Sequence, residues 1–158
     1  MWKDNLNKIK EEEKIYDEEL NTGASKEEID KLLEEAKEQL EIELPKEYLD
    51  TISIINGMEF NGFILYGIDE YLLEHENNQS ITGLIDSNQV WHENEEQKKY
   101  LFLGESDISW YVYEYEKKRF IELDNPSGRE ICTFNNFNEM FNKLLQDALA
   151  CFFLVTTF

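Results

Sequence analysis

A chain of 158 residues suits one domain with a single sizeable core, and 41% hydrophobic content with 3 Trp, 8 Tyr and 10 Phe excludes a disordered polyelectrolyte. Its 35 acidic residues against 15 basic ones give a formal charge of -20, which repels phosphate backbones and anionic lipid. Nucleic acid and membrane surfaces are therefore not expected as ligands, and a basic protein is the partner class such a field favours.

The opening residues, MWKDNLNKIKEEE, lack the apolar centre of a signal peptide, so a cytoplasmic setting is expected. From Trp2, the apolar positions Leu6, Ile9, Tyr16 and Leu20 follow three- and four-residue steps and predict an amphipathic helix that stops near Gly23. Ser25 and Glu28 match a capping box, which starts a second helix carrying Ile29, Leu32, Leu33, Ala36 and Leu40. In LPKEYLDTISIINGMEFNGFILYG, Pro45 suits the first turn of a third helix, whose face is Tyr48, Leu49, Ile52 and Ile55. Asn56-Gly57 ends that helix, with Gly57 as the residue just past it. Gly62 then releases the chain into FILYG, the first strand of a buried sheet, closed by Gly67.

The segment from Ile68 to Gly83 reads as loop with one helical turn, and Leu84, Ile85, Asn88 and Trp91 predict a helix after it. The runs KYLFLGES (which carries Gly104), ISWYVYEY and KRFIELDN are rich in aromatic and branched residues between turn-like breaks, which argues an antiparallel meander. NPSGRE is a turn and ICTF a last short strand. Phe137, Met140, Phe141, Leu144, Leu145, Ala148 and Leu149 predict a C-terminal helix. The terminal run ALACFFLVTTF is too short to span a bilayer and is expected to be core or a final packing segment. Together these predict an α+β fold: a mainly antiparallel sheet of about four to six strands flanked by N-terminal helices and a C-terminal helix. The chain is expected to form one domain over 1–158, with a helical N-terminal extension over 1–43 and a core over 44–150.

Candidate chemistry is sparse. His75 and His92 are the only histidines, no serine sits in a G-x-S-x-G elbow, and Cys132 and Cys151 sit among apolar residues without CxxC spacing, as buried thiols do. EHE around His75 and HENEE from His92 lack metal-site spacing, and both histidines are expected on the solvated surface. Asp17, Glu19, Asn21, Ser25 and Glu28 fall at the ligand positions of a calcium loop, but the glycine arrives one step late, at Gly23. No loop has phosphate-binding glycine spacing. The expectation is a protein without catalytic residues, metal or cofactor.

What remains is surface. Strand alternation in ISWYVYEY sends Trp110, Val112 and Glu114 to one face and Tyr111, Tyr113 and Tyr115 to the other, and one set is expected to be exposed. Rigid aromatics among carboxylates suit a protein contact, with Glu105 and Asp107 steering and Trp110 and Trp91 anchoring.

Taken in order, LPKEYLDTISIINGMEFNGFILYG, KYLFLGES and FNNFNEMFNKLL resemble the SUKH superfamily, which takes in the yeast cell-wall-synthesis regulator and many bacterial immunity proteins. The resemblance rests on Pro45, Asn56, Gly57, Gly62, Gly67 and Gly104, and covers Leu44 to Leu145. SDISWYVYEY departs from the family pattern, which has a glycine and an aspartate there. The resemblance implies an α+β fold without catalysis and a cytoplasmic immunity protein that binds and neutralises a cognate toxin with a basic surface, often a nuclease. The alternatives are a regulatory scaffold, as in the eukaryotic branch, and a small metal-binding or hydrolytic enzyme.

Overall fold

The structure, a computed structural model, describes residues 1–156 of the chain and the side chains of residues 1–151. It is α+β. Its helices are α1 (Trp2–Ile15), α2 (Lys26–Glu35, continued by a π-helical turn at Ala36–Leu40), α3 (Lys46–Ile52), α4 (Leu84–Trp91) and α5 (Phe137–Thr156). The strands β1 (Met58–Phe60), β2 (Phe63–Leu65), β3 (Tyr100–Glu105), β4 (Ser109–Glu114), β5 (Arg119–Asp124) and β6 (Glu130–Phe134) form one sheet in chain order, every pair antiparallel. The predicted turn after Ile68 is a short 3-10 segment at Glu70–Leu72.

Helix α1 buries Trp2, Leu6 and Ile9 against α5, where the Trp2 and Phe141 rings lie 5.2 Å apart. It ends well before Gly23, because Asp17 takes a left-handed φ of 56° and leaves Tyr16 exposed. Gly23 serves a different purpose, since the linker passes so close to α3 that a Cβ there would collide with the Ser53 carbonyl. The capping box forms as predicted, with the Glu28 N–H donating to Ser25 Oγ at 3.2 Å and the Ser25 N–H donating to Glu28 Oε1 at 2.9 Å.

The third helix is shorter than its apolar face suggests. Pro45 is its N-cap, one position before the first turn, and Ser53 caps its end. Gly57, at φ 73°, therefore turns the chain into β1 and does not terminate the helix. Asn56 is buried and ties two segments together: its Oδ1 accepts from the Ile68 N–H at 2.9 Å and its carbonyl accepts from Asn21 Nδ2 at 3.3 Å. The first strand is Met58–Phe60, not FILYG. Asn61 and Gly62, at φ 51° and 81°, form the two-residue turn joining it to β2. Gly67 lies against Gly57, so close that a Cβ on it would stand 2.9 Å from the Gly57 Cα.

The sheet has helices on both faces. On one, Lys143 of α5 reaches Glu122 and the Phe137 ring lies 6.1 Å from Phe120. On the other, Trp91 at the end of α4 stacks on Phe102 at 4.7 Å. Both faces of β4 are consequently covered. Trp110, Tyr111 and Val112 are buried and Tyr113 and Tyr115 are half-buried, so neither set is offered to solvent as the alternation predicted.

Three polar side chains complete the sheet where strands run out. β2 pairs with β3 at Ile64 and Leu65, the Tyr66 N–H adds one bond to the Leu103 carbonyl at 2.9 Å, and Asn88 of α4 takes over from there: its Oδ1 accepts from the Phe102 N–H at 2.7 Å and its Nδ2 donates to the Phe102 carbonyl at 2.9 Å. One helical turn on, His92 Nε2 lies 2.8 Å from the Tyr100 carbonyl, so this nitrogen carries the proton. His92 is thus half-buried and bonded to the backbone, whereas His75 is exposed as expected. At the β1 edge, Gln79 accepts from the Glu59 N–H at 3.2 Å and donates to the Glu59 carbonyl at 3.1 Å, as a neighbouring strand would.

Among the described residues no helix is long and apolar enough to cross a membrane. Of the terminal apolar run, Ala148 and Leu149 are buried, and the expectation for its side chains from Phe152 onward lies outside the described residues.

Candidate partner-binding site

The residues nominated by the sequence meet at the β3–β4 end of the sheet, where two turns are fastened together. In the first turn, Ser106 Oγ accepts from the backbone N–H groups of Ile108 and Ser109 at 3.3 and 3.1 Å. The second turn follows β5, and its Asn125 clasps the first: the Asn125 N–H donates to the Ile108 carbonyl at 3.1 Å and its Nδ2 to the Ser106 carbonyl at 2.9 Å. A turn held at four points loses little further entropy on binding, which favours recognition. It presents Asp107 and Ile108 to solvent, with Ile108 58% exposed.

Behind it lies an aromatic cluster. Trp91 stacks on Phe102 with 13° between planes and stands 5.1 Å from Trp110, which pairs in register with Glu105. Trp91 Nε1 donates to the Tyr66 hydroxyl at 3.0 Å, and that hydroxyl interacts with the Glu105 carboxylate. Burial holds the Glu105 carboxyl above its ordinary pKa, the Tyr66 hydroxyl partly offsets this, and the charge of Asp107 adds to it. Burial likewise pushes the Tyr66 hydroxyl far up, followed by the nearby Glu105 charge.

The structure therefore brings Glu105, Trp110 and Trp91 into one cluster with Asp107 at its rim, but reassigns the rings. Trp110 is only 5% exposed and Trp91 is half-buried, so most of the surface of both rings is spent inside the cluster behind the turn. The exposed apolar contact here is Ile108. The sequence hides it inside the strand-like run ISWYVYEY, and the signal that could have found it is the short polar break SDIS, where an isoleucine has no strand neighbour to cover it.

On the α5 side a buried carboxylate organises the surface. Glu122 is 3% exposed; its Oε2 accepts from Ser109 Oγ at 2.6 Å and its Oε1 from Lys143 Nζ at 3.2 Å. Lys143 also pairs with Asp147 at 2.6 Å. Burial opposes the Lys143 charge, but its bonds and attraction to Asp147 and Glu122 outweigh this and hold the ammonium above its ordinary pKa. Cys132 Sγ lies 3.6 Å from Glu122 Oε1, and burial, then the Glu122 charge, raise its pKa, the opposite of what activates a thiol. This network secures the sheet against α5 and fixes charges at defined places.

The calcium-loop positions are engaged elsewhere. Ser25 and Glu28 cap α2, and Asn21 Oδ1 accepts from the Gln79 N–H at 2.7 Å. Among the described residues, no three or more metal-ligating side chains gather in one place. No protein-family model matches the chain, and no curated protein is significantly similar to it.

Proposed function

We propose that this protein is a SUKH-like immunity protein of the cytoplasm, which binds a basic toxin domain, such as a nuclease, and neutralises it by covering it. The observation that carries this reading is the state of its charge. The chain has 35 acidic residues, and among the described residues only Glu74, Glu95, Glu114, Glu122, Glu130 and Asp147 form ion pairs. A field so little neutralised from within attracts a cationic protein over distances near the Debye length, about 10 Å at 0.1 M salt. The pinned turn with Asp107 and Ile108 offers a preformed place for such a partner to settle.

The test is co-expression with the open reading frames that adjoin the gene, followed by association kinetics with the protein that binds. Raising salt from about 0.05 to about 0.5 M should slow association at least tenfold while changing dissociation much less. A salt-independent association rate would contradict the reading. Inhibition of the bound partner separates it from the regulatory-scaffold alternative, under which the partner binds and keeps its activity.

A further inference from the structure

Ile108 is one of two large apolar side chains left open above the Glu122 network. The other is Ile131, 51% exposed, and the two line the same groove of about 360 Å³ beside α5. Its position comes from a bulge: the β5–β6 register passes from Glu122↔Cys132 to Leu123↔Glu130, leaving Ile131 unpaired. Two exposed isoleucines converging on one depression mark a contact site more strongly than either would singly.

We propose that this groove docks a short extended segment of the partner, in which an aliphatic side chain is flanked by lysine or arginine. The inference rests on the basic-partner reading above and locates its contact. The aliphatic group fills the space between Ile108 and Ile131. The flanking cations answer the wall charges, since Asp124, Glu122 and Asp147 line the groove and Lys143 is the single cation among its described lining residues. Lys143 is already shared between Glu122 and Asp147, so the wall keeps a net negative charge after its internal pairing. The floor is preformed, because Glu122 is buried and held from two sides. Ile131 also carries the groove to the last strand of the sheet. Among the described residues β6 ends the sheet without a further strand, whereas at the opposite edge Gln79 already occupies Glu59 of β1. A second copy of this chain is a poor occupant, because it brings another charge of -20.

The probe is a blocked peptide, acetyl-Lys-Ile-Lys-Ile-Lys-amide, titrated at low salt into the isotope-labelled full chain, with acetyl-Glu-Ile-Glu-Ile-Glu-amide as its opposite. The lysine peptide should shift the backbone amide resonances of Ile108, Ile131, Cys132 and Thr133 saturably, and the glutamate peptide should not. The pair Ile108→Ser and Ile131→Ser should weaken the lysine peptide at least tenfold. A control pair at other exposed apolar positions, Tyr71→Ser and Val90→Ser, should leave its affinity within twofold. Equal response to both peptides, unchanged affinity in the Ile108/Ile131 variant, or no binding overturns the groove. Saturable shifts confined to the acidic N-terminal helices overturn it too, while leaving the attraction of basic partners intact. A toxin domain that fails to bind, with the peptide still seated in the groove, defeats the immunity reading and spares the site.

Discussion

Asn88 shows how much can rest on one side chain. It stands at an apolar position of α4, fully buried, and its amide meets both polar groups of the Phe102 backbone as well as the Leu84 carbonyl, at 2.8 Å. Removing it leaves a donor and an acceptor in the core without water to replace the lost partner, and each such group costs about 1–3 kcal/mol. Asn88→Ala should therefore destabilise the fold by about 2–4 kcal/mol, read as a lower midpoint in urea unfolding with the slope unchanged. A loss below about 0.5 kcal/mol would show that Phe102 finds other partners. Gln89, the next residue, is exposed, and its replacement by Ala should have little effect.

At the scale of elements, glycines separate two kinds of constraint. Gly62 has open space around its Cα but a φ of 81°, so Gly62→Ala carries only backbone strain, about 1 kcal/mol. A Cβ on Gly104 would stand 2.6 Å from the Ile64 carbonyl oxygen and 3.2 Å from Leu144 Cδ1, where β2, β3 and α5 meet. Gly104→Ala should cost more, about 2–3 kcal/mol, and the order of the two thermal midpoints checks it. Legibility follows the same division. The meander, the capping box and α5 are readable because local periodicity and capping chemistry decide them, as with Ser25 and Glu28. Boundaries set by tertiary contact are not. Nothing near Tyr16 announces the end of α1, and Ile55 continues the pattern of α3 after the helix has stopped at Ile52. Asn61-Gly62 is a legible hairpin signal that the stronger apolar run after it obscures. At the candidate site Glu105 and Asp107 are legible from their charge, but covering both faces of β4 is a property of the assembled layers, which one strand's alternation cannot report.

For the whole molecule, the same charge that suits a cationic partner opposes the folded state. With a net charge of -20 and few internal ion pairs, folding brings like charges together, and salt relieves the repulsion. The thermal midpoint should rise by several degrees between about 0.02 and about 0.5 M sodium chloride. A flat or falling midpoint would mean that the few ion pairs, Arg119 with Glu114 and Glu130 foremost, outweigh the repulsion. The two ends of the sheet add a limit of a different kind. Gln79 already occupies Glu59 at the β1 margin and, among the described residues, no strand follows β6 at the other, so strand-to-strand growth meets a side chain at one end and only the charge of -20 at the other. A ribbon of native sheets, using both margins of every copy, would have to displace Gln79 each time a molecule was added.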